Sequence, residues 1–200
     1  TVVSKKPLSR ILKATERDEV TDEEIVDDGE DVDLGIAANE LMKFAESAVK
    51  IGVAFDVSAE EAGQSMAEMR TAFKMSQDEV ITLADKINFL GNSTPAAAKG
   101  IMEIVQRIGP LGEVGGFASG SIAALGATMR GMGVQEEIAA TGIKNMMLAL
   151  IAGESATKSQ RNAMIDLGLD SEEVAKSMQK DAEGTTLKIL ELIKALPKEK

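Results

Sequence analysis

The chain has 200 residues and contains no histidine, cysteine, tryptophan or tyrosine, while aromatic side chains make up only 2% of it. The lack of cysteine excludes disulfides and thiolate metal sites, and the lack of histidine excludes imidazole ligands and nucleophile–histidine pairs. The commonest general acid–base side chain is therefore missing. An enzyme made from this chain would depend on carboxylates, lysines and hydroxyls alone. The composition predicts a protein that is not an enzyme and that has no catalytic, metal or cofactor site.

Positive charge is also scarce: the chain has 22 basic and 33 acidic residues, which give a formal net charge of −11. Phosphate contacts need clustered lysine and arginine, so we expect no nucleic-acid binding. Apolar residues make up 44% of the chain, which is enough for the packed core of one domain. The sequence begins TVVSKKPLSR without an initiator methionine or a visible signal peptide. This beginning indicates an excised fragment or a recombinant product.

The acidic residues concentrate near the N-terminus, where residues 16–33 hold eleven acidic side chains and one basic one. Residues 1–35 together carry five basic and eleven acidic side chains, so −6 of the net charge of −11 lies there. Such a block repels itself and buries little surface. We therefore expect a flexible, disordered acidic arm over residues 1–35 and a helical domain over residues 36–200.

A calcium loop is the alternative interpretation of the run DDGEDVD within this arm. If Gly29 held the sixth loop position, the first and third ligand positions would fall on Glu24 and Val26, and the twelfth on Gly35. Valine and glycine side chains cannot serve as calcium ligands at these positions. The pattern fails, and we expect no calcium site.

Helix start signals recur after Leu34 in one pattern: a glycine or short break, one or two apolar residues, then serine or aspartate with glutamate close behind. In SAEE, the hydroxyl of Ser58 can accept a hydrogen bond from the backbone N–H three residues later, while the Glu61 carboxylate can accept one from the backbone N–H of Ser58. Ser76 and Glu79 have the same spacing and predict a second capping box. The instances of the pattern are GVAFDVSAEEA (52–62), FKMSQDEV (73–80), MGVQEEIA (132–139) and LGLDSEEVA (167–175).

Apolar residues fall at helical spacing between these signals, and alternation typical of strands is nowhere sustained. The predicted fold is all-α, a multi-helix array of short αα-hairpins. Successive helix starts often recur at a spacing of roughly 18 to 20 residues, which indicates a structural rhythm although side-chain similarity between units is weak. The predicted helices lie near 36–51, 58–74, 77–90, 95–108, 117–131, 135–152, 157–167, 172–182 and 185–196.

Residues 109–133, GPLGEVGGFASGSIAALGATMRGMG, hold eight of the eighteen glycines. A phosphate-binding loop is disfavoured, because no strand precedes the stretch, no glycine fingerprint is present, and Glu113 would repel phosphate. A membrane segment over 114–129 has the close-packing spacing of Gly116 and Gly120. This segment is nevertheless too short, because a helix needs about twenty apolar residues to span a bilayer.

The favoured interpretation of the stretch is a loop at 109–116 followed by a helix of small residues in the core. Pro110 would end the preceding helix. Gly116, Gly120 and either Ala123 or Ala124 would then let a neighbouring segment approach closely. An interior glycine costs about 1 kcal/mol relative to alanine, so close packing or a conformational change would have to justify these glycines.

Several of the eleven methionines fall where they could either fill the core or form an adaptable surface for a partner. A core role is favoured, because the chain has few aromatic residues to fill its interior. The residues concerned are Met66, Met69, Met129, Met132, Met146 and Met147.

Long runs of the sequence resemble a known family. The runs are FAESAVKIGVAFDVSAEEAG, MRTAFKMSQDEVITLADKINFLGNSTPA, RIGPLGEVGGFASGSIAALGATMRGMGVQEEIAATGIKNMMLAL and LGLDSEEVAKSMQKDAEGTTLKILELIKALPK. From about Leu41 to Pro197 the chain resembles the core region of phage tail tape measure proteins, and residues 1–35 do not share this resemblance.

The resemblance implies a helix-rich protein that lies inside the tail tube, sets its length during assembly and leaves ahead of the DNA at infection. It implies contacts with tail tube protein, baseplate or tail-tip proteins and tail assembly chaperones, and self-association is a further expectation. The implied location is the lumen of the virion tail, with the host cytoplasm during assembly. The chain is far shorter than a whole tape measure protein, so we expect an internal or processed portion. The family offers no catalytic residues to carry over.

Two other functions remain as alternatives, because some tape measure proteins carry membrane-active or wall-degrading segments. A membrane-perturbing helical protein would act in genome delivery through 114–129. A wall-cleaving enzyme would need paired carboxylates. The available acids are Glu103, Glu113, Glu136 and Glu137, and a surface or capping role explains each of them, since acids favour helix starts such as that at Glu136.

Overall fold

The computed structural model describes residues 38–197, apart from the side chains of residues 38, 39 and 113. The predicted acidic arm, the calcium-loop alternative and the division between residues 35 and 36 lie outside the described residues, and they stay predictions. Within 38–197 the chain forms α-helices, one short 3-10 turn and no strand. The all-α prediction is confirmed.

Nine α-helices follow one another along the described chain, joined by short turns. The predicted helices correspond to them one for one, and most boundaries agree within a few residues. The helices are α1 (Ala38–Phe55), α2 (Ala59–Phe73), α3 (Gln77–Ser93), α4 (Ala98–Gly115), α5 (Ser119–Gly131), α6 (Glu136–Ile151), α7 (Lys158–Asp166), α8 (Ser171–Lys180) and α9 (Ala182–Ala195), with the 3-10 turn Gly153–Ser155 between α6 and α7.

The predicted loop at 109–116 is wrong, because α4 continues through Pro110 to Gly115. Proline cannot donate the helical hydrogen bond and its ring crowds the preceding turn. The Pro110 side chain is exposed, however, whereas Ile108, Gly112 and Gly115 are buried on the opposite face. The buried stripe of α4 therefore continues past the proline, and its packing outweighs the local preference for a break.

Five of the turns between helices share one backbone arrangement. A residue with left-handed φ comes first, an apolar residue follows, and the third residue caps the next helix. The first residues have φ values between 52° and 83°. In each turn the N–H of the apolar residue donates to the carbonyl five residues earlier, at N···O distances of 2.8–3.1 Å, which is the Schellman closure of a helix end. We call these turns joints; they are Asp56–Val57–Ser58, Lys74–Met75–Ser76, Gly116–Phe117–Ala118, Gly133–Val134–Gln135 and Gly168–Leu169–Asp170.

Side-chain caps fix the helix start at three of the five joints. The Ser58 hydroxyl accepts the N–H of Glu61 at 3.0 Å, as predicted, and Asp170 accepts the N–H groups of Glu172 and Glu173. At the second joint the N–H and the hydroxyl of Ser76 both donate to Glu79 Oε2, at 2.7 and 2.9 Å. Both bonds stabilise the ionised carboxylate, and the backbone bond has the larger effect. The pKa of Glu79 therefore lies below its ordinary value.

The chain divides into two compact units, one ending at Ala84 and the other starting at Asp85, so the boundary lies within α3. In the first unit α1 packs against α2. Their shared core contains Phe44, Ile51, Phe55, Met66 and Met69. Lys43 of α1 also pairs with Asp78 of α3, with 2.9 Å between Nζ and Oδ1, and this hydrogen bond and charge raise the pKa of Lys43.

The second unit is centred on α4, which packs against both α5 and α6, and α5 also contacts α6. The helix α8 packs against α6, the 3-10 turn, α7 and α9. Fully buried isoleucines of α4 and α5 form the centre of the core between these two helices; they are Ile101, Ile104, Ile108 and Ile122.

Two glycine substitutions separate the effect of left-handed backbone on stability from the effect of helix propensity. Gly133 has φ 83° and Gly142 is helical, and a Cβ added at either position would meet nothing within 4 Å. We expect Gly133→Ala to lower the free energy of unfolding by about 1–2 kcal/mol, because an L side chain is strained at this φ. We expect Gly142→Ala to raise it by about 0.5–1 kcal/mol, since alanine is the better helix former. Urea denaturation measures both, and equal effects of the two substitutions would contradict the joint geometry.

The capping box at Ser76 is tested by the titration of Glu79. In the folded chain we expect a Glu79 pKa below 4.5, and we expect Ser76→Ala to raise it part of the way, because the backbone bond remains. A depressed carboxyl pKa stabilises the fold above the unfolded pKa, and this contribution is lost as pH falls through the folded pKa. Carboxyl NMR titration measures the shift, with Thr82→Ala as a control whose hydroxyl donates to the Asp78 carbonyl instead. An unchanged Glu79 pKa in Ser76→Ala would show that the hydroxyl bond has no effect.

Candidate functional site

The glycine stretch 109–133 forms the last part of α4, the joint at Gly116, the whole of α5 and the start of the next joint. The predicted helix of small residues in the core is correct, whereas the break before it covers only 116–118 and not the predicted 109–116. The sequence did not identify this joint as one of the recurring turns, because Ala118 takes the capping position without a side-chain hydrogen bond. The signal available was GGF, a glycine pair followed by an apolar residue.

Two glycines of the stretch allow a close approach between helices. Gly116 has φ 73°, and a Cβ there would lie 2.9 Å from the Met178 carbonyl oxygen of α8. A Cβ on Gly126 would lie 3.2 Å from Ile104 Cγ2, which places the small face of α5 directly on α4. Gly116 was predicted and Gly126 was missed, although Gly126 follows the buried Ile122 by one helical turn.

The other small residues of α5 have different roles. A Cβ at Gly120 would lie 3.3 Å from Cδ of Lys86, a flexible side chain that could move aside. Ala123 is buried and Ala124 is exposed, so of the two predicted alanines only Ala123 lies at the core. Close packing therefore explains part of the glycine content, and the joints at Gly116 and Gly133 explain another part.

An ion pair closes the turn between α5 and α6, and it lies against Gly100 of α4. Arg130 Nη2 lies 2.9 Å from Glu136 Oε1, and both side chains are largely buried, with 24% and 28% exposed. Arg130 Nη1 also donates to the Val134 carbonyl at 2.7 Å. A Cβ on Gly100 of α4 would lie 2.8 Å from Glu136 Oε1 and 3.0 Å from Arg130 Nε. We call this arrangement of Arg130, Val134, Glu136 and Gly100 the clasp.

The four acids considered for catalysis have the following places. Glu136 is engaged in the clasp at the start of α6, Glu137 is exposed beside it, and Glu103 is half-buried on α4. The Glu113 side chain lies outside the described residues. Within 38–197, no group of three acidic side chains is placed to hold a metal ion.

The segment 114–129 is divided between the end of α4 and α5 by the turn at 116–118. In the part of the chain that the structure describes, no helix has the length and apolar character to cross a membrane. At the first turn of α5 the Ser121 hydroxyl donates to the Glu183 carboxylate, so a negative side chain already lies where a bound phosphate would have to approach.

The methionines lie mainly inside the protein. Met66, Met69 and Met147 are at most 1% exposed, which confirms the core role for these three. Met129 and Met146 are half-buried. Met132, in the turn after α5, is 67% exposed and therefore does not belong to the core.

The clasp generates a stability prediction. Arg130→Ala removes the buried guanidinium, leaves Glu136 without its charge partner and opens space over Gly100. We expect the free energy of unfolding to fall by about 1–2 kcal/mol, because breaking a partly buried pair leaves the Glu136 charge incompletely compensated and removes the hydrogen bond to Val134. Lys50→Ala is the control, since the Lys50–Glu46 pair is 79% and 64% exposed and contributes about 0.5 kcal/mol or less. Chemical denaturation of both variants measures the difference, and a loss in Arg130→Ala no larger than the control would contradict the role of the clasp.

The chain is similar to known proteins over most of its length. The family described as phage-related minor tail protein matches residues 24–200, so the expectation that residues 1–35 lie outside the resemblance is wrong for residues 24–35. A probable tape measure protein of Halomonas phage phiHAP-1 is 36% identical over 157 residues, which are 78% of this chain and 18% of that protein. No solved structure matches the chain. Since the family match extends over more than half of the chain, the protein belongs to the phage-related minor tail protein family.

Proposed function

We propose that this chain is an internal segment of a tail tape measure protein, which helps to set the length of the tail tube during assembly and is released ahead of the DNA at infection. The observation that carries this proposal is the similarity to a probable tape measure protein along 78% of the chain. The chain spans only 18% of the length of that relative, so the activity of the whole protein is part of the proposal.

The helical architecture supports a role in measuring length. An α-helix rises about 1.5 Å per residue, so the length of an extended helical protein follows directly from its residue count. The described helices are joined by turns of a few residues, and little of the chain would be lost to irregular loops if the segment were extended. A compact array in free solution does not argue against an extended form inside the tail, because the tube that would confine the chain is absent in solution.

The proposed partners are the tail tube protein, baseplate or tail-tip proteins and tail assembly chaperones. The proposed location is the tube lumen of the virion, with the host cytoplasm during assembly. Contact with tube or chaperone surfaces would use exposed apolar side chains of the first and last described helices. Those on α1 and α9 are Met42, Val49, Val53, Leu187, Leu190 and Ile193. The proposed function is structural and involves no catalytic step by this chain.

Tail length by electron microscopy tests the proposal. The parent gene would carry a duplication of residues 95–152, the part of the chain that covers α4, α5 and α6. If they extend mostly as helix, we expect each tail to lengthen by roughly 80–90 Å. Duplication of residues 117–152, a shorter part of the same segment, is the matched variant and should add about 54 Å.

The increments should be uniform among particles and proportional to the number of added residues. Tails of unchanged length that assemble normally would overturn the proposal, because the segment would then be excluded from the measured length.

A further inference from the structure

Helix α1 has two apolar faces. One face contains Phe44 and Phe55, which are buried in the core that α1 shares with α2. The other contains Met42, Val49 and Val53, whose surfaces are 60%, 41% and 82% exposed. At about 100° of rotation per residue, the two sets point in nearly opposite directions. A helix that is apolar on opposite faces is usually covered on both of them, so we expect a further segment over the exposed face.

The exposed apolar side chains of α1 form one line along the helix. Met42, Val49 and Val53 lie within about 40° of one another around the helix axis and extend over about 16 Å of its length. Glu46 takes the position between Met42 and Val49. We call the three apolar residues the outer stripe. Exposed apolar side chains are normal when they occur singly, whereas a group of them marks a surface that packs against another segment.

Two lysines border the outer stripe on one side. Lys43 and Lys50 are two helical turns apart, so they lie on the same side of α1, about 10 Å from each other along the axis. Lys43 pairs with Asp78 and Lys50 with Glu46, and the side chains of both pairs are between 62% and 80% exposed. Pairs that are so exposed contribute little to stability, and both ammonium groups can take a further acidic partner. The surface therefore fits a segment that is both apolar and acidic.

Residues 24–36 have both properties, and they lead directly into α1. This stretch contains six acidic side chains and no basic one. It also contains five large apolar residues, which are Ile25, Val26, Val32, Leu34 and Ile36. The family match begins at residue 24, so the stretch belongs to the same family region as the helices that follow it.

The stretch before α1 is long enough to reach the whole outer stripe. Fourteen residues lie between Glu24 and Ala37 inclusive, and a fully extended chain of this number spans at most about 46–50 Å. Helix α1 has 18 residues and is therefore about 27 Å long. Glycine at position 35 suits a sharp reversal of the chain. A segment that turns back at the start of α1 can thus extend as far as Val53.

From these observations we propose that residues 24–36 turn back along α1 and cover the outer stripe, with their acidic side chains beside Lys43 and Lys50. The segment is favoured over a second copy of the chain for two reasons. It is joined to α1, which gives it a high effective concentration at this surface. It also brings acidic groups to the two lysines, whereas a second outer stripe carries the same two lysines.

The proposal narrows the predicted disordered arm to residues 1–23. It concerns the free chain and stands independently of the proposed function. A tail partner that binds α1 through the outer stripe would have to displace residues 24–36.

Paramagnetic relaxation enhancement from a nitroxide beside the outer stripe tests the proposal. The chain has no cysteine, so Ala54→Cys gives one labelling site in the full 200-residue protein. Ala54 is exposed and follows Val53 near the end of α1. We expect the backbone amide signals of residues 24–30 to lose most of their intensity in the labelled chain, and those of residues 1–15 to lose much less.

The stripe variant adds Val49→Asp and Val53→Asp to the labelled chain. Both positions face away from the core, so we expect helical circular dichroism to be retained and the signals of residues 24–30 to recover. The segment variant, Ile25→Ser with Val32→Ser, should restore the same signals without any change in α1. Leu187→Asp with Leu190→Asp is the matched control on α9, where the two side chains are 63% and 42% exposed, and it should leave the broadening unchanged.

The remaining outcomes would overturn the proposal. Equal broadening with and without the stripe substitutions would show that the covalent connection alone brings the segment near the label. An absence of broadening would mean that the outer stripe is open to a different protein. In a mixture of isotope-labelled chains without nitroxide and nitroxide-labelled chains without isotope, broadening of residues 24–30 would assign the stripe to a second copy.

Discussion

The hydrogen bond that closes each joint determines how the helices of this chain are arranged. It runs from the N–H of the middle joint residue to the carbonyl five residues earlier, and it forms only if the first joint residue adopts positive φ. The middle residue is apolar in all five joints and is at least half-buried, so an apolar side chain lies against the protein at the point where the chain leaves one helix and enters the next. The direction in which the chain enters the next helix at these five joints follows from this local geometry.

The two units meet this requirement in different ways. The second unit uses glycine at its left-handed positions, and its glycines also bring α5 onto α4 and α4 beneath the clasp. A side chain would be strained at the left-handed glycines, and at Gly116 it would also meet the Met178 carbonyl oxygen. In the first unit Asp56 and Lys74 take the same φ without glycine, so the fold there depends more on packing between the helices than on the intrinsic preference of the joints.

The sequence was sufficient to predict the all-α fold and nearly every helix boundary, because caps and left-handed residues are local signals. Ser58 and Ser76 could be identified from their distance to Glu61 and Glu79 alone. The continuation of α4 past Pro110 could not be predicted, since the cause is burial of Ile108 and Gly112 against other helices. The clasp was also missed: the pairing of Arg130 with Glu136 over Gly100 requires three segments to meet. Family membership rests on the comparisons, because composition and helical spacing describe many helical proteins equally well.

Residue-resolved backbone chemical shifts of the isotope-labelled chain in dilute solution test the role of the joints most directly. The account predicts helical shifts along α1 to α9 that are interrupted at all five joints, with left-handed backbone at Asp56 and Lys74 as well as at the three glycines. Unbroken helical shifts through Asp56 or Lys74 in dilute solution would contradict it, because the joint hydrogen bonds at these residues could not then form.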